Sequence, residues 1–155
     1  MRRNTSRAFS LLEVVIVVAI IAILAAIGIP RMSRGSRGAG YSALAANVSV
    51  LRNAVDLFAA EHQGTNPTIS GFSNELTQYT DIDGNTSAKK TGHYIYGPYL
   101  RSIPVCPVGS HKDQSGVADA NGTDIGWIYD PNTGDINANA ADSEKDDAGK
   151  PLNAY

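Results

Sequence analysis

The chain has 155 residues, with 13 Lys and Arg against 15 Asp and Glu and a hydrophobic content of 43%, a length that suits one small domain and little more. The charge is segregated. Residues 1–38 hold six Arg and one acid, Glu13, whereas residues 39–155 hold seven basic and fourteen acidic residues, a net charge of −7, so the larger part lacks the basic footprint that nucleic-acid binding requires.

Residues 1–8 are short and basic, with Arg2, Arg3 and Arg7. Phe9 to Ile29 follows, twenty-one residues with a single charge, Glu13. As a helix this stretch would span roughly 30 Å, the thickness of a bilayer core. A domain this small has too few apolar residues to surround such a helix, which makes membrane insertion the expectation. A secretory signal peptide would have a shorter apolar core and a small-x-small cleavage site, and "AAIGIPRMS" supplies none. Three Arg precede the segment and three follow it, so the positive-inside count is tied.

Glu13 admits two readings. An acid near a helix start can sit at headgroup level and favour the positive end of the helix dipole. If the helix begins at Phe9, however, Glu13 lies one turn inside lipid, where an acid at the helix centre costs about 3 kcal/mol. A compact cation at the same depth on a neighbouring copy, such as a free α-amino group at Phe9, would offset that cost. Pro30 removes a helix hydrogen bond and clashes with the Ala26 carbonyl. With Gly28 it marks either the end of the membrane helix or a joint where a longer helix bends.

These residues carry a resemblance. "RAFSLLEVVIVVAIIAILAAIGIP" resembles the class III signal of type IV pilins and type II secretion pseudopilins. Arg2, Arg3 and Arg7 match the basic leader, Ala8 the small residue before the cut, and Phe9 the mature N-terminus that becomes methylated. Glu13 matches the acid at the fifth mature position, and Gly28 with Pro30 the helix kink. The family has Gly where this chain has Ala8. The resemblance implies a precursor inserted in the bacterial inner membrane, N-terminus in the cytoplasm and C-terminal domain in the periplasm. It implies that prepilin peptidase removes residues 1–8 and methylates the Phe9 amine. Subunits then pass from membrane lipid, through an inner-membrane assembly platform, into a helical homo-oligomeric filament with minor pseudopilins. In the filament Glu13 pairs with the Phe9 amine of a neighbour.

Residues 31–64 are expected to continue the helix. "RMSRGSRGAG" taken alone reads as a linker, and the resemblance implies a weak helix through it. From Tyr41 the pattern is amphipathic: Leu44, Val48, Leu51, Val55 and Phe58 recur at spacings of four and three, and Asn47, Arg52, Asp56 and Glu61 take other faces, ending near Gly64. Residues 65–138 read as a small loop and antiparallel-sheet domain. A short helix is expected over residues 73–79 with Ser73 as N-cap, a turn at "DIDGN", a strand at "HYIYGPYL", and mostly loop from residue 101 to 126. A hairpin follows, Trp127 to Tyr129 and Asp135 to Ala138 around Pro-Asn-Thr-Gly. Residues 139–155 are polar and expected to be a disordered tail. The expected fold class is α+β and pilin-like: a long N-terminal helix, half transmembrane and half amphipathic, packed on a small antiparallel sheet.

Little points to catalysis or a cofactor. The twelfth position from Asp81 is Gly92, not Glu, so the EF-hand pattern fails. The resemblance raises calcium in the C-terminal loops, for which Asp119, Asp124, Asp130 and Asp135 are the available carboxylates, but their spacing fits no ligand loop, and no cofactor is the expectation. Cys106, the single cysteine, stands between prolines as a small buried residue of a rigid loop. His62, His93 and His111 have no metal-ligand spacing, and no nucleophile elbow or phosphate loop appears. The expectation is therefore a non-enzymatic filament subunit of type II secretion, with a surface pilin for adhesion, motility or DNA uptake as the alternative and a membrane-anchored enzyme as the distant one.

Overall fold

The structure is a computed structural model that describes residues 10–155, apart from the side chains of residues 27–34. The chain divides into two compact units, residues 1–38 and residues 39–155. Helix α1, Leu11–Glu61, is 51 residues long and contributes to both. It runs through Gly28, Pro30 and the Gly- and Arg-rich stretch that follows, so neither ends it.

In the first unit, α1 starts with the amides of Glu13 and Val14 donating to the Ser10 carbonyl at 3.0 and 3.2 Å. Every described residue from Ser10 to Ala26 is exposed, including Leu11, Ile16, Ile20 and Leu24. This segment has apolar side chains on all sides and covers nothing in its own unit.

The second unit has a core, and the amphipathic part of α1 is its main wall. Leu44, Val48, Leu51, Ala54, Val55 and Phe58 are all buried. Each large side chain of that stripe contributes about 1.5–3 kcal/mol by leaving water. The helix closes with the Gly64 amide on the Ala59 carbonyl at 2.8 Å and Gln63 in the left-handed region at φ 58°, a Schellman-type stop. Tyr99 then donates its hydroxyl to Glu61 at 2.6 Å.

Against this wall lie α2 (Phe72–Thr77), the hairpin β1 (Tyr79–Thr80) with β2 (Thr86–Ser87), and a three-stranded sheet. That sheet has the order β3 (Gly116–Ala118), β4 (Ile125–Tyr129), β5 (Ile136–Ala138). β4 and β5 form the expected antiparallel hairpin, with Trp127 opposite Ala138 and Tyr129 opposite Ile136. Trp127 and Tyr129 are fully buried. Their polar tips are satisfied by the Pro104 carbonyl at 2.8 Å and the Pro67 carbonyl at 3.0 Å, as buried Trp and Tyr require. The architecture is α+β, a long helix packed on small sheets.

The segment 101–126 is mostly loop, as expected, with β3 inside it pairing in parallel with β4. Three local expectations are corrected. "HYIYGPYL" is not a strand; only Tyr96 bridges, to Thr80. Ser73 is not an N-cap: Gly71 takes that position without a side-chain cap, and the Glu75 carboxylate reaches back to the Thr68 amide at 2.8 Å. The third correction is the tail of residues 139–155, which is ordered. Leu152 is 4% exposed, Lys145 bridges Pro151, and Glu144 accepts from the Ser110 amide and hydroxyl at 2.7 and 3.0 Å. A polar tail folds here because carboxylates cap its backbone amides while Leu152 and Tyr155 anchor it to the core.

Candidate functional site

In the N-terminal apolar helix the chemistry rests on one side chain. Between Ser10 and Pro30, Glu13 is the only charged residue. It lies in the first turn of α1, where the unsatisfied amides of the helix start favour an anion. Its neighbours Leu11, Leu12, Val14, Val15, Ile16 and Val17 are all exposed. An acid among apolar side chains is costly to hold in a bilayer without compensating positive charge, and the amides of the helix start supply part of it. Ala8 and Phe9, the expected cleavage and methylation residues, lie outside the described residues. The side chains of Gly28 and Pro30 lie outside them as well.

Two stretches of α1 are apolar among the described residues, Leu11–Ala26 and Gly35–Glu61. By composition the first is the stronger membrane candidate, since Glu13 is its one charge whereas Gly35–Glu61 carries Arg37, Arg52, Asp56 and Glu61. Packing agrees, because the apolar stripe of the second stretch, from Leu44 to Phe58, is consumed by the core of the second unit. The exposed Leu11–Ala26 stretch is the one left for a bilayer.

A family model described as the prokaryotic N-terminal methylation motif matches residues 3–29. The chain carries the class III prepilin signal. The match spans the basic residues Arg3 and Arg7, the expected cleavage point, Glu13 and the apolar helix. Proteins with this signal are pilin-like structural subunits, processed by prepilin peptidase and assembled into filaments. A single apolar N-terminal helix behind the signal is consistent with a single-pass inner-membrane anchor. No curated protein and no solved structure matches the chain.

The expected calcium carboxylates are partly brought together. Asp119, Asp130 and Asp135 line one open groove of about 370 Å³, and Asp124 is not part of it. The Asp130 carboxylate already accepts from the amide and side chain of Asn132 at 2.8 and 2.9 Å, which holds its carboxyl below the usual range. Asp124 is in the left-handed region at φ 63°. Among the described residues, no three His, Cys, Asp or Glu gather into a metal-holding group.

Cys106 is 1% exposed, and burial pushes its thiol pKa up, away from the thiolate a nucleophile needs. Asp81, at the expected "DIDGN" turn, accepts from the amides of Asp83 and Asn85 at 3.0 and 2.9 Å, and His93 Nε2 lies 3.2 Å from its other oxygen. His62 is 2% exposed and stacks on Phe58 with ring centroids 3.8 Å apart. Its burial was not legible in the sequence, since position 62 falls just past the end of the apolar stripe; the four-residue step from Phe58 is the one signal that would have found it.

Proposed function

We propose that the chain is a structural subunit of a type II secretion pseudopilus. The observation that carries this reading is Glu13, a lone carboxylate in the first turn of a helix that is otherwise apolar and exposed, inside a methylation motif. The precursor is held in the inner membrane with its N-terminus cytoplasmic and its second unit periplasmic. Prepilin peptidase cuts between Ala8 and Phe9 and methylates the new amine. Glu13 then meets the Phe9 amine of a neighbouring subunit in the filament core. Breaking such a pair by removing one partner is costly in a low-dielectric setting, which makes the pair a register device between subunits. Minor pseudopilins and the assembly platform are the further partners.

The single cysteine supports the pseudopilus over a surface pilin, since Cys106 leaves no second thiol for an intramolecular disulfide loop. Mass spectrometry of assembled material tests the reading. A chain beginning at methylated Phe9 is expected; functional material that still begins at Met1 overturns it. Mechanical shearing of cells separates the two filament classes: the protein stays with the cell as a pseudopilin and appears in the sheared fraction as a pilus subunit.

A further inference from the structure

Past the apolar stretch, the next charges on α1 are all positive. Arg31, Arg34 and Arg37 follow Pro30, and no Asp or Glu occurs between Glu13 and Asp56. Helix α1 continues without a break through these positions, and steps of three residues keep positions 31, 34 and 37 on one face of a helix. An acid three or four residues away is the usual partner for such a row, and the sequence provides none. Arg37 is exposed, and the one ion pair among the described residues joins His93 to Asp81. Among those residues, nothing lies within 4 Å of where a Cβ on Gly35 or Gly38 would stand, so this part of the helix is left uncovered.

The apolar stretch sets the depth of the row. Phe9 to Ile29 crosses roughly 30 Å of hydrocarbon as a helix, which brings Pro30 to the far edge. From Arg31 to Arg37 the helix then rises about 9 Å, against a headgroup layer of roughly 5–8 Å on each side of a bilayer. We propose that this face of α1 binds the phosphates of anionic phospholipid headgroups. Each guanidinium offers a fork of N–H donors that matches phosphate oxygens, and basic residues just outside a span draw anionic lipid. A zwitterionic lipid carries its own cation beside its phosphate, and no carboxylate in this part of the chain offsets that cation. Once residues 1–8 are cut away, as proposed above, these three are the only basic side chains left in residues 9–38. The inference rests on the membrane placement of the first unit and not on the kind of filament.

The test places a benzophenone side chain at Ser36, an exposed position, in the full-length protein reconstituted in vesicles of equimolar phosphatidylglycerol and phosphatidylcholine. Irradiation and mass spectrometry count the adducts at residue 36, and carbonate-resistant flotation reads insertion separately. Phosphatidylglycerol adducts should outnumber phosphatidylcholine adducts at least about threefold. Arg31→Gln, Arg34→Gln and Arg37→Gln together should return the ratio to about one with flotation unchanged. Arg37→Gln alone should lower the excess part-way, which keeps the test decisive if the triple variant fails to insert. An inserted wild-type chain with a ratio of about one, or an excess that these variants leave intact, overturns the proposal and leaves the membrane reading standing. Adducts at residue 36 to another protein chain in place of lipid do the same. A wild-type chain that does not float with the vesicles overturns the proposal and the membrane placement together.

Discussion

Arg52 donates from Nη2 to the backbone oxygen of Tyr155 at 2.6 Å and to Asn137 Oδ1 at 2.7 Å. One side chain on α1 therefore holds both the last residue of the chain and strand β5. Arg52→Ala should cost about 1.5–3 kcal/mol, the range for hydrogen bonds from a charged group. Chemical denaturation of the detergent-solubilised protein, followed by Trp127 fluorescence, measures it. Hydrogen exchange should show residues 144–155 losing protection first; unaltered protection there would show that the tail is held by other contacts.

The two apolar faces of α1 in the second unit should respond differently. Leu51 is 0% exposed and Leu57 is 52% exposed. Leu51→Ala removes a side chain from a packed core and should cost about 2–5 kcal/mol. Leu57→Ala should stay within about 0.5 kcal/mol in the isolated subunit. Equal losses in urea melts of the two variants would contradict the packing described above.

Leu152→Ala tests the ordered tail directly. Leu152 is 4% exposed and belongs to the core cluster, so its truncation should destabilise the whole second unit by about 2–5 kcal/mol. A disordered tail would give no change in the midpoint of the same melt.

Acid should weaken the second unit through its turn carboxylates. Hydrogen bonds from Asn85 to Asp81, from Asn132 to Asp130, and from Tyr155 and Lys150 to Asp146 hold these carboxyls below their usual value of 3.8. Burial alone would raise Glu144, but bonds from Ala141 and Ser110 outweigh it and the net shift is downward from 4.5. A carboxyl lowered in the folded state contributes stability that is fully present above its unfolded pKa and is lost as pH falls through the folded one. Stability should therefore be level above about pH 5 and decline progressively below about pH 4. Asp146→Asn should flatten part of that decline. An unfolding midpoint that does not fall between pH 5 and pH 2 would remove these turns as the acid-labile element.

Glu13→Ala should leave membrane insertion intact, since it removes the only charge from the apolar stretch, and should abolish or strongly reduce assembly. Membrane fractionation and crosslinking between subunits read the two outcomes separately. Normal oligomer ladders from that variant would take away the register role proposed for the carboxylate.

The sequence was most legible where one physical period dominates. The spacing of Leu44, Val48, Leu51, Val55 and Phe58 gave the buried stripe, and the alternation on either side of Pro131–Gly134 gave the β4–β5 hairpin. It was least legible where order comes from single side-chain bonds to backbone. Glu144 ties residues 110 and 141 together, Asp146 closes its own turn, and no periodicity announces either. β3 has only three residues and begins with Gly116, too short for alternation to register. "HYIYGPYL" misled for the opposite reason: its alternation is real, but Ile95 remains 48% exposed and the segment finds no partner strand beyond one bridge. Of the candidate site, Glu13 was readable from charge contrast.

The unclad stretch from Leu11 to Leu24 has a practical consequence at the bench. No aqueous buffer suits the entire molecule, because the conditions that dissolve the acidic second unit leave these apolar side chains facing water. Surfactant, bilayer or fellow protomers must always accompany it. Any preparation claimed as a lone particle in plain water should be checked for loss of its first thirty residues.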